Sequence, residues 1–181
     1  MTGPTTLVPL ECVRCHTPVP AEPDEIAWIC QTCGQGLLLD ETVGLRPIAI
    51  QAAAAQGEAP SWKPFWAVSG RVRFSRRVSY GHDVAPEARW AQPVRFVVPA
   101  YATSVETAVA LGVRFLERPP VLQPGEPRAL HGASVLPDQI APLVRFVVLS
   151  IEAARQDKLE AIDFTVELET PELWCLPSEG P

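Results

Sequence analysis

The sequence has no asparagine, almost no lysine and no long apolar run. Of its 15 basic residues only Lys63 and Lys158 are lysines, and its longest apolar stretch covers residues 146–151. A helix that crosses a bilayer needs roughly 20 apolar residues, and a secretory signal begins with a basic and then an apolar segment. We therefore expect no membrane insertion, no secretory signal and a cytoplasmic protein. The arginine bias, with abundant alanine and proline, is typical of a bacterial genome rich in G and C.

Catalytic motifs are missing as well. The three histidines, His16, His82 and His131, are scattered, and the sequence has neither a glycine-rich phosphate loop nor a G-x-S-x-G nucleophile turn. The fifth cysteine, Cys175, lies between a tryptophan and a leucine, as a small buried apolar side chain would. These absences predict a protein that is not an enzyme.

The charge is unevenly distributed along a chain of ordinary globular composition. The net charge of −6 combines one base and six acids in residues 1–45 with seven bases and two acids in residues 61–100. The middle of the chain is therefore cationic, and the segments on either side of it are anionic. This asymmetry predicts contacts between oppositely charged regions, within one chain or between partners.

Two C-x-x-C pairs give the sequence its most specific signal. Each pair places two sulfur atoms on one tight turn, and two such turns supply the four tetrahedral ligands that zinc prefers. In a reducing compartment, paired cysteines bind metal more often than they form disulfides. The alternatives are two disulfides or a redox pair, but a redox C-x-x-C opens a helix in a larger α/β fold. The spacing therefore predicts one structural Zn²⁺ ion, with no open position for catalysis. Its ligands are Cys12, Cys15, Cys30 and Cys33.

Around these pairs, residues 10–42 resemble a zinc ribbon of the CPxCG-knuckle type, which occurs in transcription factors, ribosomal proteins and many bacterial subunits. The resemblance implies the same four cysteine ligands. Val13 and Gln31 stand where the family often has proline, and His16 stands where it usually has glycine. Gly34, in contrast, follows the second pair as the family pattern requires.

Composition and periodicity predict three segments: a zinc ribbon at 8–45, an Ala/Gln/Gly/Pro-rich linker at 46–60, and an α+β domain at 61–178. The domain is expected to have a mostly antiparallel sheet and two helices. Its elements are strands at 66–80 (or a hairpin bent near Gly70), 94–98, 162–169 and 172–176, and helices at 103–118 and 138–156. Two short strands, at 26–29 and 37–39, are expected in the ribbon.

Four arginines on the strand at 66–80 form the second candidate site, for an anion or a partner. Period-two alternation places them on its exposed face or beside it, with Glu152 facing outward from the second helix. They are Arg71, Arg73, Arg76 and Arg77.

From these features we expect a non-enzymatic protein–protein interaction or scaffold subunit of a larger assembly, with self-association as one form of partnering. The alternative is a transcription-associated zinc-ribbon factor that binds nucleic acid through the basic strand 71–77, with nearby aromatic residues stacking on bases. The acidic ribbon opposes this alternative, because nucleic-acid affinity comes largely from neutralised phosphates.

Overall fold

The computed structural model describes residues 9–40, 42–54, 61–80, 88–125, 129–155 and 158–178. These residues form an α+β fold with two mostly antiparallel sheets and two helices, which confirms the predicted fold class. The elements, in chain order, are β1 (Ala27–Ile29), β2 (Gly36–Asp40), β3 (Gly44–Ile48), β4 (Ile50–Ala52), β5 (Ser61–Tyr80), β6 (Val94–Pro99), α1 (Val105–Glu117), α2 (Ile140–Ala153), β7 (Lys158–Leu168) and β8 (Glu172–Ser178). Short 3₁₀ helices occupy Ala88–Ala91 and Pro137–Gln139.

The central strand β5 is one continuous strand and not a hairpin bent at Gly70. It pairs antiparallel with β6 on one side, and with β8 and then β7 on the other. Gly70 lies opposite Leu168, and Ala67 lies opposite Glu172, so β7 and β8 follow one another along the same side of β5. Side chains with period two on these strands supply the two faces of the sheet.

The predicted linker at 46–60 is wrong over its first part. Gly44–Ile48 is the third strand of the sheet β1-β2-β3, and Ile50–Ala52 pairs parallel with β8 in the larger sheet. Composition suggested flexibility, but pairing with a strand more than 120 residues away along the chain orders this segment. Residues 55–60 of the predicted linker lie outside the described residues.

The main core lies between one face of the larger sheet and the two helices. Trp66 and Phe96 from the sheet pack with Val144, Val147 and Val148 from α2, all of them buried. The same cluster includes Ala27, Leu38 and Ala52. The cysteine-bearing sheet β1-β2-β3 therefore packs against the body of the protein, and the two share one hydrophobic core.

The opposite face of the sheet is apolar at one end and charged at the other. Phe65, Ala67 and Val97 are buried there, beneath Phe115 and Leu122. Beyond Ala67 along β5, the same face carries exposed charged side chains on β5 and β7.

Helix α1 begins at Val105, two residues after the predicted start of the helix at 103. Ser104 is the N-cap, and its Oγ accepts a hydrogen bond from the backbone N–H of Thr107 at 3.1 Å. At Gly112 the helix lies very close to α2, since a Cβ atom there would fall 2.5 Å from Val147 Cγ2. Among the described residues, neither helix has the length and apolar character that a membrane crossing requires.

A bulge in β5 reverses the predicted orientation of Arg77. Phe74 pairs with Phe164 but Arg76 pairs with Asp163, so Ser75 is an extra residue in β5. One extra residue moves the following side chains to the other face of the sheet.

As a result, the predictions that Arg77 and Glu152 face solvent are wrong. The side chain of Arg77 is 4% exposed and that of Glu152 is 0% exposed, and Arg77 Nε donates to Glu152 Oε2 at 2.7 Å. The other carboxylate oxygen accepts from Trp90 Nε1 at 2.8 Å.

Candidate metal centre

Two matching turns carry the four cysteines. In the first, the backbone N–H of His16 donates to the carbonyl of Cys12, and in the second Gly34 donates to Cys30, each at 2.8 Å. His16 and Gly34 both have positive φ, 59° and 72° respectively. Gly34 accepts this conformation at little cost, whereas His16 is strained by its Cβ.

The four sulfur atoms converge on one point between the turns. The Sγ atoms of Cys12 and Cys33 are 3.6 Å apart, those of Cys15 and Cys30 are 3.5 Å apart, and all four lie within 4.8 Å of one another. In a tetrahedral site with metal–sulfur bonds of about 2.3 Å, neighbouring sulfurs are about 3.8 Å apart. The four cysteines are therefore positioned to bind one metal ion.

The electrostatics of the cluster favour a cation. Hydrogen bonds with the Thr17 hydroxyl and with its backbone N–H lower the pKa of the Cys15 thiol to about 6. At Cys33 the Gln35 backbone N–H acts in the same direction, but burial and the three neighbouring thiols outweigh it and raise the pKa to about 12. Four thiolates in so small a space repel one another, and a bound cation removes that repulsion.

Hydrogen bonds join this cysteine module (residues 9–48) to the body. Glu25 Oε1 accepts from the backbone N–H of Gly132 at 2.6 Å, and its Oε2 accepts from Trp28 Nε1 at 3.1 Å. The backbone N–H of Ile26 donates to the carbonyl of Ala133 at 2.7 Å. Glu25 was missed at the sequence level, because its partner is a backbone group about 107 residues away.

The four arginines of the predicted anion or partner site do not share one surface. Arg71, Arg73 and Arg76 are exposed on the outer face of β5, but Arg77 is turned into the core. Arg73 forms an ion pair with Glu167 at 3.4 Å.

Acidic residues on β7 lie directly beside this row of arginines. Glu167 is the register partner of Arg71, and Asp163 is that of Arg76. The outer face therefore carries both signs of charge.

The aromatic residues near these arginines are mostly unavailable for stacking. Phe65 and Trp66 are 4% and 2% exposed, and Trp66 Nε1 donates to the carbonyl of Val135 at 2.7 Å. Tyr80, at the far end of β5, is 77% exposed and follows Arg76 with the spacing of one strand face.

The remaining candidate residues are dispersed. His131 is exposed at a cavity of about 470 Å³ between the cysteine module and the body, His16 lies on a knuckle turn, and His82 is outside the described residues. Cys175 is 2% exposed, and its burial raises the pKa of the thiol to about 11, so it is an unreactive core residue.

No family model, curated protein or solved structure matches the chain.

Proposed function

We propose that the protein is a non-enzymatic interaction subunit whose cysteine module is a zinc ribbon holding one structural Zn²⁺ ion. The observation that carries this proposal is the convergence of four thiols, with contacts of 3.6 and 3.5 Å between facing sulfur atoms. Four sulfur ligands fill a tetrahedral zinc site, so water finds no place to be activated. Cysteine-only sites also suit zinc better than magnesium or calcium, which prefer oxygen.

The metal part of the proposal is tested by elemental analysis of purified protein. We expect about one zinc per chain, as a tetrahedral S₄ site requires. Replacing Cys12 or Cys33 by Ser should abolish stoichiometric zinc, whereas Cys175→Ser, a buried cysteine outside the cluster, should retain it. Full zinc retention in both cluster variants would contradict the ligand assignment.

The interaction part rests on two features. A metal ion with four cysteine ligands would have a structural role, and among the described residues the charged surface has no groups arranged for catalysis. These two features support the proposal of a cytoplasmic scaffold or interaction role within a larger assembly. The test is to tag the chain in the cells that express it and measure the mass of the purified complex by light scattering. Recovery with stoichiometric partner proteins is expected, and recovery as a lone monomer would contradict the proposal.

A second candidate function is single-strand nucleic-acid binding by the outer face of β5. Arg71, Arg73 and Arg76, with the exposed ring of Tyr80, favour it, because such platforms combine basic and aromatic side chains. The acids of β7 weaken it. Fluorescence anisotropy with labelled single strands distinguishes the two functions. Submicromolar binding whose affinity falls steeply with added salt, and also falls in the Arg71→Ala variant, would favour nucleic acid over a protein partner.

A further inference from the structure

Helices α1 and α2 form an open groove on the outside of the protein. They approach closely at Gly112 and Val147, where a Cβ atom on Gly112 would meet Val147 Cγ2 at 2.5 Å. Outward from this contact the surface holds two cavities of about 410 and 860 Å³, and both are lined by Val105 and Phe146. The two cavities are therefore parts of one groove, which we call the helix groove.

The floor of the helix groove is apolar and exposed. Val105, Val109 and Val113 follow one another at four-residue spacing on α1, and Phe146 and Ile151 face them from α2. Val105 is 55% exposed and Phe146 is 48% exposed, which is unusual for large apolar side chains with so many apolar neighbours. A helix of 13 residues is about 20 Å long, so the groove can hold three to four helical turns.

The rim of the helix groove is mainly acidic. Glu106, Glu117 and Asp138 line it, with Arg89 as the one base among the described lining residues.

The arginines of the two helices point elsewhere. The guanidinium of Arg114 lies 5.3 Å from the ring centre of Phe115. That of Arg145 lies 5.0 Å from the ring centre of Phe164 and donates to the Phe164 carbonyl at 3.3 Å. The acids of the rim therefore keep their surplus of negative charge.

We propose that the helix groove binds an amphipathic helix of a partner protein whose apolar face is flanked by lysines and arginines. An apolar stripe with residues at i, i+3, i+4 and i+7 fits between two helices, and basic flanks complement the acidic rim. A second copy of this chain would bring the same acids against the rim and is therefore the poorer occupant. This inference rests on the proposed interaction function and names the surface and the kind of partner.

The test uses the full, zinc-loaded chain and a fluorescein-labelled 18-residue peptide of leucine and lysine patterned as an amphipathic helix. We expect micromolar binding by anisotropy, at least tenfold weaker binding of a scrambled peptide of the same composition, and none of a leucine–glutamate version. The scrambled peptide controls for simple attraction to an acidic protein. Equal binding of the patterned and scrambled peptides would overturn the proposal.

Matched variants locate the site. Phe146→Glu should weaken patterned-peptide binding at least tenfold, whereas Tyr80→Glu, which changes an exposed ring on the sheet, should leave it unchanged. Val105→Glu gives the same expected loss from α1 and serves if Phe146→Glu does not fold. Wild-type affinity in both groove variants would remove the groove as the site.

Light scattering of the protein alone tests the competing occupant. A dimer that Phe146→Glu dissociates would assign the groove to a second copy and overturn the proposal, whereas a monomer supports it. Zinc content and recovery of native partners are measured separately. A failure of the peptide test therefore removes the groove assignment and leaves the zinc site and the interaction role to their own tests.

Discussion

Among single-residue contacts, the ion pair between Arg77 and Glu152 is expected to have the largest effect on the free energy of unfolding. Both side chains are nearly or fully buried, and Trp90 also donates to the carboxylate. Breaking a buried pair by removing one partner costs more than the pair itself contributes, because the remaining charge stays in the core. Solvent-exposed pairs such as Arg73 with Glu167 contribute little, since water screens them.

Glu152→Gln should therefore lower the free energy of unfolding by about 3–5 kcal/mol. Urea unfolding followed by circular dichroism measures the loss. Glu167→Gln, which removes the exposed acid of the Arg73 pair, should change stability by less than about 1 kcal/mol. The apolar double variant Arg77→Met with Glu152→Leu should recover much of the loss, and equal costs for the two Glu→Gln variants would contradict the buried pair.

The cysteine pKa values predict how metal binding depends on pH. Cys33, with a pKa of about 12, is protonated at neutral pH, so binding a metal must release its proton. The apparent affinity should therefore rise with pH through the neutral range. Below about pH 6 it should fall more steeply, because Cys15 is then also protonated. Calorimetry in two buffers of different ionisation enthalpy measures the release, and a pH-independent affinity would contradict this assignment.

At the scale of elements, the strands and helices could mostly be predicted from sequence, and the failures have local causes. Period-two alternation predicted the two faces of β5 correctly as far as the bulge at Ser75. The bulge arises from the register between β5 and β7, so no pattern within β5 marks its position. Glu152 has the polarity of a surface residue on α2, and its burial is explained by partners that lie far away along the chain, Arg77 and Trp90. The composition of β4 predicted a linker, whereas its ordered structure comes from pairing with β8, which composition does not reveal.

The cysteine turns were predictable for a different reason. Their geometry depends on neighbours within five residues, as the bonds from His16 to Cys12 and from Gly34 to Cys30 illustrate. Local spacing therefore specified the four ligands, whereas the contact of Glu25 with Gly132 depends on the tertiary fold.

The close approach of α1 and α2 predicts the effect of Gly112→Ala. Helix propensity alone would raise stability by about 1 kcal/mol, but the new methyl group would meet the stiff, fully buried Val147. Overpacking typically costs about 1–3 kcal/mol, so we expect a net loss of stability. Thermal unfolding measures it, with Ala110→Gly as the control for propensity at an exposed site of α1. A stabilised Gly112→Ala protein would show that the helices can separate freely.

At the scale of the whole molecule, the cysteine module and the body behave as one packed unit. Ala27 and Leu38 of the module lie in the same buried cluster as Trp66 and Val144 of the body. The backbone hydrogen bond from the Ile26 N–H to the Ala133 carbonyl ties them further. Loss of the metal should therefore disturb the body as well as the turns that hold the ion.

A strong chelator should accordingly change the near-ultraviolet circular dichroism of the buried tryptophans and lower the urea midpoint of the entire protein in a single transition. The physical reason is that unfolding β1 and β2 would expose part of the common core to water. Cys175→Ser, treated in the same way, should respond like the wild type. Two separate transitions, with the body unchanged by the chelator, would contradict the shared core.

The pairing of β5 also has a consequence for how the chain is made. Residues 61–80 emerge from the ribosome about 80 to 120 residues before their partners in β7 and β8. During that interval a long strand with tryptophan, phenylalanine and valine side chains has an unpaired edge, and unpaired strand edges make a chain prone to aggregation. Such distant pairing also slows folding. Translation arrest before residue 158 should therefore leave a nascent chain that depends on chaperones for its solubility.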